Sequence, residues 1–317
     1  MSEQSFVPHG GWAGEPGDRA HLDRYPLAGH EPWAAAVGPV EVVLPLPVAA
    51  RQWFRQGAPS CTGAAPAIAM SIINAAASPV GFWQYDFGWL WCRGTATDDI
   101  GWTNCGRNTG GYLSATLAVL RNEGLPIAPP FGGPPLPEHG ITEYRWIEAG
   151  DGMIGQMRDA IAAGVPVLVG SRWYEAMTHP VHIISDPDDL DEYVMPLDPS
   201  SLGAYEFGHA FALTGRSDGR QAFWTPNSWG RSWPGPLANG EDAQGAWVPD
   251  DLLTWLSTRA GYSERAVILD KPGPSLPDPP PPEPTVRCRG VCVDSGDCRP
   301  GCRCRRVSQG ARRCRKG

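Results

Sequence analysis

The stretch Ser60-Cys61-Thr62-Gly63-Ala64-Ala65-Pro66-Ala67-Ile68-Ala69-Met70-Ser71-Ile72-Ile73-Asn74-Ala75-Ala76-Ala77 decides the fold. It is apolar on nearly every side after Cys61, and a helix apolar all round is a buried helix. Cys61 stands at the start of this run. Pro66 falls about one turn in, where its missing N–H costs little only if the helix starts near Cys61. Gln56-Gly57-Ala58-Pro59 leads into this stretch, and two later segments carry chemistry: Gly208-His209-Ala210 and Asn227-Ser228-Trp229-Gly230. A thiol, an imidazole, an amide to orient the ring and a second amide to receive an oxyanion form the residue set for acyl transfer through cysteine.

Working outward, Val40 to Pro47 reads as a strand leading to Cys61. Tyr112 to Asn122 reads as a second helix, with Leu113, Leu117 and Leu120 on one face and Gly124 ending it. Ile154 to Ala163 reads as a third helix, followed by a buried strand from Val165 to Gly170. His209 to Gly215 and Gln221 to Pro226 flank Arg-Ser-Asp-Gly-Arg, a hairpin signal, and Arg265 to Asp270 is a closing strand. Helices first and strands later predict an α+β protein of two lobes.

These residues resemble the papain-like cysteine peptidases of the C1 family, bacterial type. Gln56-Gly57, Ser60-Cys61, Gly208-His209-Ala210 and Asn227-Ser228-Trp229-Gly230 stand in that family's order. Gly110-Gly111-Tyr112 leading to Gly124-Leu125, and Arg172-Trp-Tyr-Glu-Ala-Met, also resemble its segments. The resemblance covers residues 40–270 and implies a helical lobe beside an antiparallel β-barrel-like lobe. It implies Cys61 as nucleophile, His209 as proton carrier, Asn227 as its orienting partner and Trp229 as cover for their hydrogen bond. Gln56 is the implied oxyanion donor, and Gly110 and Gly111 the segment along which a substrate backbone passes. Two departures stand out. Cys61 lies five positions after Gln56, where the family usually has six, which leaves Gln52 as a more distant alternative donor. The residues before Cys61 show no helical periodicity, whereas the family commonly carries a long helical inhibitory segment. A protein or peptide substrate, no cofactor, no metal and a monomer are the expectations.

The chain of 317 residues has a net charge of −8, unevenly spread. From Arg287 to Gly317 ten Lys/Arg face two Asp/Glu, a net of +8, so the remainder carries −16. Composition and charge mark 1–38 as an irregular extension, 271–286 as a spacer in which eight of sixteen residues are proline, and 287–317 as a basic module, and the resemblance makes 39–270 the peptidase-like domain. A polyproline-II spacer of that length reaches about 50 Å.

Nine cysteines sort into Cys61 alone, Cys92 with Cys105, and six from Cys288 to Cys314. If the others bridge, the unpaired thiol is Cys61. The tail resembles the small cystine-knot peptides called knottins, which implies Cys288–Cys302, Cys292–Cys304 and Cys298–Cys314. A module so small folds only with such staples. A zinc cluster is the competing reading, disfavoured because no Cys-x2-Cys pair is present. The tail's basic charge suits an anionic surface. No run approaches 18 apolar residues, so no membrane span is expected. Met1 to Phe6 lacks the basic start and apolar run of a secretory signal, while disulfides need an oxidising compartment, so leaderless export is the expectation. The acidic stretch Thr178 to Glu192 reads as a solvated insertion rather than a metal loop. The competing functional readings are a non-catalytic scaffold carrying a knottin toxin or inhibitor, and a transpeptidase or amidase using the same residues.

Overall fold

The computed structural model describes residues 35–46, 54–56, 59–77, 84–97, 110–128, 133–185, 190–230, 232–258, 264–270, 302–306 and 312–316. Two compact units divide the chain, Met1–Leu276 and Pro277–Gly317. The spacer, Cys105, Gln52 and the cysteines at 288, 292 and 298 lie outside the described residues.

In the larger unit the chain runs β1 (Glu41–Val43), α1 (Cys61–Ala77), α2 (Phe87–Thr97), α3 (Leu113–Asn122), β2 (Ile141–Trp146), α4 (Met153–Ala162) and β3 (Val167–Tyr174). A short α5 (Glu175–Thr178) then leads to the hairpin of β4 (Val181–Ser185) and β5 (Leu190–Val194). After it come β6 (Tyr205–Leu213), β7 (Gly215–Ser217), β8 (Ala222–Thr225), β9 (Ala246–Pro249), α6 (Asp250–Thr258) and β10 (Glu264–Asp270). Helices precede most strands, as the sequence predicts, and the class is α+β.

The strands form two sheets, β2-β10-β3-β6 and β1-β7-β8-β9-β5-β4. All neighbours pair antiparallel except β5 with β9, a parallel contact at Val194↔Trp247. The chain passes from one sheet to the other at Thr214, between β6 and β7, where its amide donates to the Trp224 carbonyl and its carbonyl accepts from the Leu44 amide.

Two apolar cores lie on opposite faces of the four-stranded sheet. Leu168, Ala210, Ala212 and Ala266 pack with α1 and α3; Val167, Val169, Phe211, Leu213 and Val267 pack with α4 and α6. The period-2 alternation of a strand buried on both faces produces this division. On β6 the α1 side carries alanines and the other side large residues, so α1 lies close against the sheet.

The segment 36–40 is held by charge. Arg158 on α4 donates to the carbonyls of Ala36 and Gly38, and Asp218 at the β7–β8 turn accepts from the Val40 amide at 2.7 Å. Burial works against the Asp218 carboxylate. The Val40 amide and the guanidinium groups of Arg216 and Arg158 outweigh it and bring its pKa down to about 2. The predicted strand from Val40 to Pro47 is limited to Glu41–Val43, paired with β7.

In the acidic stretch β4 and β5 pair as an antiparallel hairpin, while Asp186, Asp188 and Asp189 lie outside the described residues. His182 hydrogen-bonds Asp191 at 2.7 Å and stacks on Tyr193 at 4.4 Å, while Asp191 also accepts from the Ala238 amide. Glu192 accepts from the Trp247 indole and from Arg220. Asp191 and Glu192 are thus held in tertiary hydrogen bonds rather than left to solvent.

Candidate active site

α1 begins at Cys61, which places Pro66 inside the helix, where it has no N–H to offer the Thr62 carbonyl. The Ser60 carbonyl receives the amides of Gly63 and Ala64, each at 3.0 Å, closing the first turn. Cys61 is fully buried and is a free cysteine. The backbone amides of Ala210, Thr62 and Cys61 itself, the last two at the helix N-terminus, favour the thiolate. Ala210 is the neighbour of His209, so β6 carries the imidazole to the helix end that carries the thiol.

His209 is also fully buried, in a box of aromatic rings. Its ring centroid lies 4.7 Å from that of Trp173, 4.8 Å from Trp229, 6.2 Å from Phe211 and 6.3 Å from Phe207. Its Nε2–H donates to Asn227 Oδ1 at 2.8 Å, which fixes the tautomer and leaves Nδ1 as the basic nitrogen. Nδ1 is buried and makes no hydrogen bond. Asn227 Oδ1 also accepts from the Ser228 amide at 2.7 Å, locking the carboxamide. The Asn227 backbone has φ +53°, the left-handed region that asparagine tolerates better than most residues. Trp229 covers this pair; it packs edge-on to Trp173 at 5.3 Å and to Trp233 at 5.7 Å.

Gln56 arrives at the same loop. Its amide N–H donates to the Ser228 carbonyl at 3.0 Å, and Arg55 forms a β-bridge with Trp229. The Ser228 hydroxyl donates to Gln56 Oε1, which orients the carboxamide. The loop to Cys61 is short, but this anchoring still brings Gln56 beside the site. Gly57 and Ala58 lie outside the described residues. Ser228 takes no role in the sequence reading beyond its place in a motif; only its contacts reveal one.

Gly111 sits over the start of α1. A Cβ there would stand 3.2 Å from Thr62 Oγ1 and 3.0 Å from Thr95 Cγ2, so glycine lets this segment lie close. Gly110 is half-buried beside it. Cys92, on α2, is disulfide-bonded. Its expected partner Cys105 lies outside the described residues. Among the described residues, no group of three or more His, Cys, Asp or Glu could hold a metal ion, and no helix is long and apolar enough to cross a membrane.

The electrostatics differ from a standing ion pair. Burial pushes the Cys61 thiol up to about 12 against the pull of the three amides. Burial also brings His209 down to about 4, against the hydrogen bond to Asn227. In the closed site the proton therefore rests on sulfur, and the ring is neutral. A stability consequence follows. Unfolded, the imidazole titrates near 6.5, above its folded value, so the unfolded chain binds the proton first. Stability contributed by the neutral ring is present above that pH and is lost as pH falls from 6.5 towards 4. Unfolding midpoints measured across this range should fall less steeply for His209→Phe than for the wild type. Parallel curves would refute the assignment.

No protein-family model matches the chain, and no curated protein matches it. Among solved structures, xylellain, a cysteine protease from Xylella fastidiosa, is similar over 83% of this chain and 94% of its own, at 18% identity and TM-score 0.51. Procathepsin B from Trypanosoma congolense matches at TM-score 0.48 and 11% identity, over 81% of this chain and 85% of its own. A cysteine protease from Carica candamarcensis matches at 0.49 and 14%, over 74% and 99%. The likeness to the first is one of fold, and it gives the larger unit the two-lobed papain-like architecture.

Proposed function

We propose that the chain is a cysteine endopeptidase that cleaves peptide bonds through Cys61, His209 and Asn227. The observation that carries the reading is the 2.8 Å bond from His209 Nε2 to Asn227, covered by Trp229, with the unpartnered Nδ1 on the strand that meets the Cys61 helix. In the proposed reaction the thiol proton passes to Nδ1 as sulfur attacks the carbonyl carbon. A C–S bond forms and the carbonyl electron pair becomes an oxyanion, received by the Gln56 carboxamide and the Cys61 amide. Collapse breaks the C–N bond, and the leaving amine takes the proton from His209. Water, deprotonated by Nδ1, then releases the acid and restores the thiol. One such oxyanion donor is worth about 3 kcal/mol in the transition state.

Because the thiol holds its proton at rest, ion-pair formation is coupled to substrate binding rather than complete beforehand. The test is mass spectrometry of a peptide library incubated with the purified chain, alongside labelling by an epoxide thiol trap. Cleaved peptides and a label on Cys61 are expected. An unlabelled Cys61 with no cleavage would sink the reading in favour of a non-catalytic scaffold. Products joined to an added amine would identify a transpeptidase, since the same residues serve either acceptor.

The tail is read as a separate basic module on a proline-rich spacer, with boundaries at 271 and 287. It includes β11 (Cys302–Arg306) and β12 (Arg312–Lys316), an antiparallel pair with Arg303 opposite Arg315 and Arg305 opposite Arg313. The module's basic charge suits an anionic surface, held in a salt-dependent manner. The proposed bridges remain Cys92–Cys105, Cys288–Cys302, Cys292–Cys304 and Cys298–Cys314. Disulfide mapping after digestion tests them, and because Cys304 stands opposite Cys314, a bridge between those two is the result that overturns the knottin pairing.

A further inference from the structure

We infer that Glu264 is a positioning residue that sets where the substrate backbone lies, acting through the N-terminus of α3. This rests on the peptidase reading above. Glu264 opens β10 and is 1% exposed. Its carboxylate accepts from the two leading amides of α3: Leu113 N–H to Oε2 at 2.9 Å and Ser114 N–H to Oε1 at 3.2 Å. The α3 N-cap, Tyr112, has an extended backbone and gives no side-chain cap. The cap is therefore supplied from 151 positions away in sequence. A carboxylate here satisfies two orphan amides and meets the positive end of the helix dipole.

The geometry of the neighbours gives this cap a functional consequence. Gly110 and Gly111 immediately precede Tyr112, and Gly111 lies against Thr62, one residue beyond the nucleophile. At the other end, Glu264 pairs with Gly170 on β3, and Gly170 pairs with Ala210 on β6. Ser171, the next β3 residue, stands opposite His209. Glu264 thus ties the glycine segment to the strands that carry the imidazole. It touches no reacting atom. Its task is to keep the glycine segment and the proton carrier in a fixed relation while a substrate backbone lies along Gly110 and Gly111. A loosened glycine segment weakens substrate binding but leaves the bound substrate's chemistry intact, so the effect falls on KM.

Glu264→Gln and Glu264→Asp are compared with the wild type by steady-state kinetics on a peptide substrate and by amide hydrogen exchange over residues 110–116. For Glu264→Gln the expected result is KM raised about five- to tenfold, kcat within about twofold, and faster exchange from Gly110 to Ser114. Glu264→Asp keeps the charge with a shorter reach, should give intermediate values, and provides the reading if the glutamine variant folds poorly. In an active wild type, unchanged KM and exchange in both variants, or a fall in kcat with KM unchanged, would overturn the role of Glu264 alone. A wild type that cleaves no peptide overturns the peptidase reading and the substrate claim with it.

Discussion

Replacing Cys61 by alanine is expected to lower kcat/KM on peptide substrates by at least about 10⁴-fold, the scale at which loss of a nucleophile is felt. The fold should persist. Cys61 lies in the core that α1, α3 and the alanines of β6 form together, and losing one sulfur atom from it leaves a small cavity. The unfolding midpoint should shift by a few degrees at most, since about 1 kcal/mol moves a domain of this size by roughly 2–4 °C. Activity and stability are thereby separated: a variant that still cleaves within tenfold of the wild type excludes Cys61 as nucleophile. The Cys61 thiol, held up to about 12 by burial, is the group whose ionisation the proposed reaction would drive. Serine at this position is expected to be as inactive as alanine, because a buried hydroxyl is far harder to ionise than a thiol.

Gly63→Ala is expected to be among the most damaging single substitutions in the helical lobe. Gly63 sits in the first turn of α1, against the first turn of α2. A Cβ there would stand 2.2 Å from the Phe87 carbonyl oxygen, 2.7 Å from the Trp91 amide nitrogen and 2.9 Å from Trp91 Cβ. The first two neighbours are backbone atoms and cannot rotate away, so the helices must separate. Alanine gains about 1 kcal/mol in helix propensity over glycine, but overpacking of this kind costs about 1–3 kcal/mol and at backbone contacts more. We expect a net loss of at least about 2 kcal/mol, together with a misplaced Cys61 two residues upstream. Thermal unfolding and labelling of Cys61 by a thiol trap measure the two effects. A variant with wild-type midpoint and labelling rate would show that α1 and α2 are not packed as described.

How much of this was readable in sequence depends on what each residue's environment supplies. α1 was readable because an unbroken apolar run has few alternatives to a buried helix. α3 and α4 carry apolar stripes, and their predicted ends fall within a residue of the observed ones. α2 was not readable: in Phe-Gly-Trp-Leu-Trp-Cys-Arg-Gly-Thr-Ala-Thr the apolar spacing of Phe87, Leu90 and Trp91 spans barely one turn, and two glycines interrupt the segment. Tertiary packing of Leu90 and Trp91, both buried, holds it instead. The β4–β5 hairpin was obscured by its acids, whose partners His182, Arg220, Ala238 and Trp247 are scattered through the chain. In the site, Cys61, His209, Asn227 and Gln56 stand out because each residue type has a distinct chemical task. Trp173 and Glu264 do not: one is an aromatic in a strand, the other an acid at a strand's edge. Their parts emerge only from a 4.7 Å ring contact and two backbone amides.

The two small residues of β6, Ala210 and Ala212, have a further consequence. Their methyl groups are what separates α1 from the strand that carries His209. They act as a shim, and their thickness sets how closely α1 lies on the sheet. A larger side chain at either position would lift the helix that begins at Cys61 away from β6, so the packing beneath the candidate site rests on residues that have no chemistry of their own.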